Sequence, residues 1–191
     1  IGFFSSELIS SVFRETFRLQ QVSEEDIPGK LRTWVGINSL LFNTGAFFGI
    51  YTFSRLTAFT GRKPAFAVSF SLAAISTAFT FGYLDDFSDI FWMIPLMGFC
   101  QLSIFGGYAI YFPELFPTRL RSTGTSFCYN VARYLAAFGP PMLTFLASKA
   151  YGDFDEVTSW RYAGVTMCSV FLLGLLALPF APETKGKPLP E

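Results

Sequence analysis

The chain has no histidine among its 191 residues, and only 15% of them carry a formal charge. The first absence rules out a histidine triad, a histidine metal site or a histidine proton relay within this segment. The second is well below the roughly 25% of an ordinary soluble domain. Net charge is zero, so no bulk basicity points to nucleic acid. The only cysteines are Cys100, Cys128 and Cys168. They lie in apolar stretches without metal spacing and read as small core hydrophobes. No charged leader with a cleavage site precedes an apolar segment. Ile1 is not an initiator, so the chain reads as a fragment or a processed piece.

What is abundant is apolar. Hydrophobic residues make up 51%, aromatics 19%, and phenylalanine alone occurs 25 times. Residues 33–54, 64–84, 90–113, 122–148 and 162–182 form windows whose only charge is Arg133. About 20 apolar residues cross a bilayer core as a helix. A soluble bundle would show charged stripes every three or four residues, and these windows do not. Interior prolines Pro95, Pro140, Pro141 and Pro179 fit membrane helices better than soluble ones. The expected fold is all-α, a polytopic membrane bundle of five complete spans.

Loop charge supplies orientation. After spans one, three and five lie Arg55, Arg62, Lys63, Arg119, Arg121, Lys185 and Lys187, against Glu114, Glu183 and Glu191. The two short loops on the other side hold Lys149 and Arg161 against Asp85, Asp86, Asp89, Asp153, Asp155 and Glu156. The basic side is expected to be cytoplasmic, which puts the C-terminus inside a cell membrane crossed several times. The chain divides into three regions. Residues 1–32 are expected to be the end of a truncated helix plus an external connection, with an amphipathic piece around Leu8–Leu19. The transmembrane bundle covers 33–182, and 183–191 is a cytoplasmic tail.

Three loops on the basic side carry chemistry. In RLTAFTGRKPAF (55–66), Gly61 permits a tight turn beside Arg62 and Lys63. In YFPELFPTRLRSTGTSF (111–127), Glu114 is followed by Arg119 and Arg121; such a carboxylate and arginine pair can lock one helix end to another. PFAPETKGKPLPE (179–191) ends the last span with Glu183. PELFPTRLRSTG and APETKGKPLPE resemble the two C-terminal-half signatures of the major facilitator superfamily, in its sugar-porter and metabolite-symporter branches. GRKP resembles the loop between that family's eighth and ninth helices. The resemblance implies helices eight to twelve of a twelve-helix fold, a missing N-terminal half as partner, and a central site between the halves. It implies a secondary transporter, proton-coupled, for a small polar metabolite. The family's loop pattern Asp-Arg-x-Gly-Arg is incomplete here, because Ala58-Phe59-Thr60-Gly61-Arg62 lacks the leading acid and its arginine.

The membrane-embedded charge bears on substrate. Arg133 lies about 17 Å along its helix from Ser122, near the middle of a roughly 30 Å core. Asn130 and Tyr134 share its side of the helix, and a polar face in a membrane helix points to the bundle interior or a wet cavity. The expectation is an arginine that meets an organic acid anion; the alternative is a structural ion pair completed by the missing half. Gln101, Phe105 and Tyr108 in span three, and Asn38 and Asn43 in span one, are further cavity candidates. Gly61, Arg62, Glu114, Arg119, Arg121 and Glu183 are the expected inner gate or latch. No residue is assigned to catalysis, metal or cofactor, and an enzyme is not expected. The expected partners are the lipid bilayer, a small-molecule substrate such as a sugar or organic acid anion, and the missing half. A non-transporting scaffold or sensor on the same fold is the competing reading.

Overall fold

A computed structural model of the chain describes residues 5–190, which fold as helices with no strand among them. Residues 1–4, expected to belong to the last turn of a truncated helix, lie outside the described residues, as does 191. Helix α1 is Ser5–Leu19, α2 Ile27–Thr60, α3 Arg62–Tyr83 and α4 Phe87–Leu115. Then come α5 (Arg121–Ala136), α6 (Gly139–Phe145) and a π-helical turn at Leu146–Ala150. The last segment is α7 (Glu156–Met167), α8 (Ser169–Ala177) and a 3-10 turn at Leu178–Phe180. Arg62–Tyr83, Phe87–Leu115 and Glu156–Phe180 are long and apolar enough to cross a membrane. With α2 and the α5–α6 pair, the long helical segments among the described residues number five, and each overlaps one of the charge-free windows.

Local chemistry sets the boundaries. Pro28 sits in the first turn of α2, where a missing N–H costs nothing. Gly61, at φ +99°, ends α2 and lets α3 begin at the next residue, a backbone state that side chains disfavour. Asp86 and Asp89 cap α4 reciprocally, and Asp155 accepts the Thr158 N–H at the start of α7. The fourth segment breaks at Ala137–Phe138 because Pro140 and Pro141 have no N–H to offer to the preceding turn.

Helices α2 and α4 touch backbone to backbone. A Cβ on Gly45 would lie 1.9 Å from the Pro95 carbonyl oxygen, one on Gly49 2.2 Å from that of Phe99, and one on Gly98 2.1 Å from that of Phe42. Small residues permit this approach, and dispersion and weak polar contacts reward it. On either side of the seam, rings fill the core. Phe13, Trp34 and Phe87 cluster at one end, and Phe53, Phe66, Tyr108 and Tyr111 towards the other.

The N-terminal segment contains the expected amphipathic helix: α1 buries Leu8, Ile9 and Phe13 completely against the bundle, and α2 begins at Ile27, six residues before the charge-free window. The amphipathic pattern around Leu8–Leu19 is that of a helix whose apolar face is covered by protein. Only Gln20–Asp26 connect α1 to α2.

At one end of the bundle α3 is tied to the last segment by Arg161. Its guanidinium donates to the carbonyls of Gly82 (3.0 Å) and Leu84 (2.8 Å) and pairs with Asp85. These carbonyls end α3 without helical partners, and a cation there also suits the helix dipole. Rings add to this contact, with Phe81 of α3 seated over Gly164 and Phe70 over Gly174.

Candidate functional site

The opposite end of the bundle gathers three chain segments distant in sequence. Glu114, in the last turn of α4, takes a bidentate contact from Arg62 at the start of α3: Nη2 donates to Oε1 at 2.6 Å and Nε to Oε2 at 3.0 Å. Thr184 Oγ1 donates to the same Oε2 at 2.6 Å. Arg62 Nη1 reaches back to the Thr57 carbonyl at 3.2 Å and its hydroxyl at 3.3 Å, so one guanidinium links the end of α2 to α4. Both partners of the ion pair are mostly buried, with side chains 16% and 17% exposed. Such a pair is stronger than a surface one and harmful when one member is lost.

Glu183 follows the last segment and caps α3 from outside. Its carboxylate accepts the N–H groups of Arg62 (2.9 Å) and Lys63 (3.0 Å), the first two of α3, which have no partner inside the helix. It also accepts those of Thr184 (3.1 Å) and Lys185 (3.0 Å). Burial pushes this carboxyl up, but the four backbone donors outweigh it and hold the group below the usual glutamate value. A Cβ on Gly61 would approach Glu183 Oε2 to 3.1 Å, so the turn is both left-handed and crowded by the cap. Lys185 Nζ donates to the Phe59 carbonyl at the end of α2 (2.7 Å), and Tyr111 OH to the Pro182 carbonyl (2.7 Å).

The residues expected as a latch therefore fall into two groups. Gly61, Arg62, Glu114 and Glu183 meet. Arg119 is exposed, and Arg121 bonds elsewhere, so Glu114 pairs with neither of the arginines nearest to it in sequence. The reason for Arg121 is local. The Pro113 carbonyl would accept from residue 117, but Pro117 has no N–H, and the Arg121 guanidinium fills that position at 3.0 Å. Glu183 meets backbone N–H groups rather than side-chain cations. Sequence reasoning missed Thr184 and Thr57. The signal for Thr184 was its place beside Glu183 in the terminal motif; nothing marked Thr57.

The cavity candidates divide as well. Gln101 is buried, with its Nε2 donating to Thr77 Oγ1 of α3 at 2.6 Å. Asn38 is buried against α1, bonded to the hydroxyls of Ser5 and Ser6 at 3.2 Å each. Both amides join helices to each other. Asn43 and Asn130 are exposed and donate to carbonyls one turn back, of Ser39 (2.7 Å) and Ser126 (2.9 Å). Arg133 is exposed on α5 with no side-chain hydrogen bond or ion pair to any described residue, beside Tyr134, which is 76% exposed. Phe105 is 53% exposed on α4, and Tyr108 is partly covered. No residue of α5 is buried, and Asn130, Arg133 and Tyr134 lie exposed on it.

Comparison with known proteins agrees with this architecture. The sequence profile of the Major Facilitator Superfamily matches residues 15–191. A Haemophilus influenzae protein named, provisionally, for metabolite transport is 28% identical over 146 residues, covering 76% of this chain and 34% of the relative. The cis,cis-muconate transport protein of Acinetobacter baylyi is 31% identical over 96 residues, 49% of this chain and 23% of its own length. The crystal structure of a double-tryptophan mutant of XylE aligns over 98% of this chain and 44% of that one, with a TM-score of 0.65. At 20% identity, that likeness shows the shared fold. The chain spans about a third or less of the length of the curated relatives it matches. With the profile covering nearly all of it, and with its helices arranged as in a solved member of that fold, the chain belongs to the Major Facilitator Superfamily.

Proposed function

We propose that the chain works as the C-terminal half of a secondary transporter that moves a small polar metabolite, a sugar or an organic acid anion, by alternating access. The observation that carries this reading is the contrast between the two sites. At one end, Arg62, Glu114, Thr184 and Glu183 bind three segments into one unit. On α5, twelve residues past the start of that helix, Arg133 is left open. A charge in a membrane helix is costly unless it meets a partner, a substrate or water. The open face of α5 is where the other half of such a transporter and its substrate would lie.

In this reading the cluster at Glu114 lies on the cytoplasmic side, in accord with the basic loops there, and the C-terminus is inside the cell membrane. It acts as a latch, and Arg119, exposed beside it, is a cation left to meet the other half, while Arg121 holds the end of α4. Arg133, with Asn130, Tyr134, Phe105, Tyr108 and Asn43, lines the cavity. Gln101 and Asn38 hold helices together instead. Relatives named for metabolite and for cis,cis-muconate transport support a transport role, and the second a carboxylate cargo. Proton coupling follows the resemblance to symporters, with the proton-carrying acid outside this chain.

The test is uptake into sealed vesicles containing the full-length protein, with and without a pH gradient. Accumulation of an organic acid that is lost in Arg133→Gln, at unchanged expression, is the expected result. No accumulation of any sugar or organic acid would overturn the transport reading in favour of a scaffold or sensor. Equal uptake by the variant would return Arg133 to a structural role.

A further inference from the structure

The transport reading leaves sugars and organic acids open, and the side chains around Arg133 separate them. A sugar presents a hydroxyl on almost every carbon, and each one that is desolvated needs a hydrogen-bond partner. Few amides remain for that task. Gln101 is bonded to Thr77 and Asn38 to Ser5 and Ser6, while Asn43 and Asn130 each give one N–H to a carbonyl of their own helix and keep a second N–H and the amide oxygen, too few groups to match the hydroxyls of a sugar. The facing sides of α4 and α5 offer rings instead, partly covered except at Phe105. Tyr108 and Phe112 stack at 5.0 Å with planes 5° apart. Phe105 meets Tyr108 edge-on at 6.0 Å and 68°, and Tyr129 of α5 meets Phe112 edge-on at 5.4 Å and 81°. One helical turn beyond Tyr129 is Arg133, on the same side of α5. Phe105 is the ring of this shelf that is most open, at 53% exposure.

Each part favours a different portion of one ligand. A guanidinium is a planar fork that matches a carboxylate through two parallel hydrogen bonds. Ring faces favour another π system, in stacked or edge-on contact, over a saturated body of equal size. A flat acid whose carboxylate is conjugated to its body can satisfy both together, because Arg133 lies one turn from the Tyr129 end of the shelf. A puckered saturated acid would meet the guanidinium but gain only ordinary apolar contact from the rings.

Resting on the transport reading, we propose that the site formed by Arg133 and the ring shelf Phe105, Tyr108, Phe112 and Tyr129 selects planar conjugated carboxylates, over sugars and over saturated acids of the same size. Phe105 is its specificity-determining residue. Arg133 binds the carboxylate in either kind of acid, and the shelf reads the flatness of the body attached to it.

The experiment is calorimetric binding of benzoate and of cyclohexanecarboxylate to the purified full-length protein at neutral pH, where both are anions of nearly equal size. Benzoate is expected to bind roughly 3- to 10-fold more tightly, the range of an aromatic pair beyond its area burial. Phe105→Leu should bring the two acids within about 2-fold of each other, and thermal melting at the temperature of the unaltered protein shows that the variant is folded. Phe105→Tyr should restore the preference. Equal binding of the two acids by the unaltered protein, a preference that survives Phe105→Leu, or binding of neither acid would overturn the inference. Failure of the transport reading would show separately, as the absence of any uptake in vesicles. A protein that takes up an acid while treating the two probes alike would overturn the planar selectivity alone.

Discussion

Replacing Glu183 tests how much the cap on α3 contributes. Its carboxylate accepts the first two N–H groups of that helix and two more from its own segment, while Glu114 and Arg62 remain paired beside it. Loss of a cap costs about 0.5–2 kcal/mol, and removing a negative charge from a helix N-terminus about 0.3–1 kcal/mol. Because Glu183 is only partly buried, the lower part of each range applies, giving about 1–2 kcal/mol for Glu183→Ala. In a protein of this size, that corresponds to a fall in Tm of roughly 3–6 °C. Glu183→Gln keeps an acceptor and loses the charge, and should fall by about half as much. The pH dependence adds a second signature. The folded carboxyl lies below its ordinary value of 4.5, so its stabilisation is complete above that pH and is lost as pH falls through the lower folded value. Thermal melting of the purified protein in detergent, from pH 7 down to 3.5, would show it. The unaltered protein should lose Tm in the acid range more steeply than Glu183→Gln. If Glu183→Ala melts like the parent, or the acid slopes coincide, the capping argument is refuted.

Two other substitutions probe the pair and the seam. Arg62→Lys removes the second hydrogen bond to Glu114 and the reach to Thr57, and should cost about 1–3 kcal/mol in the same melting assay. Adding Glu114→Gln to it should cost less than Glu114→Gln alone, and strict additivity would deny the coupling. Gly45→Ala places a methyl group 1.9 Å from a carbonyl oxygen, so α2 and α4 must part by about 1 Å, with a loss of roughly 1–3 kcal/mol, while Gly29→Ala, in open space, should be neutral. Equal melting of these two alanine variants would show that the helices do not touch as described.

Much of the architecture was legible because one physical constraint dominates it. A stretch of 20 residues without charge has few fates, and the five windows fall on five helical segments. The cluster residues Gly61, Arg62, Glu114 and Glu183 stood out for their types and their places beside turns. Their pairings did not. Sequence distance favours Arg119 and Arg121 as partners of Glu114, whereas the actual partner is 52 residues away, brought there by the packing of α3 on α4. The amides show the same limit. Spacing puts Gln101 on a face of α4, but cannot say whether that face meets α3 or open space, and Thr77 decides it. Helix α1 was legible as an amphipathic helix, but not what it packs on, since its pattern is the same whether protein or an aqueous border lies against its apolar side.

The ties on α3 have a consequence for the order in which the protein is made. The helix needs an anion at its first N–H groups and a cation at its last carbonyls, and its own sequence supplies neither. Glu183 comes 121 residues after Arg62, and Arg161 comes 79 residues after Gly82. As the chain emerges from the ribosome, α3 enters the bilayer with both ends still hydrated. Each end is finished only when the final segment arrives, first by Arg161 and then by Glu183. Synthesis that stops before residue 183 leaves the first N–H groups of this helix without their carboxylate partner.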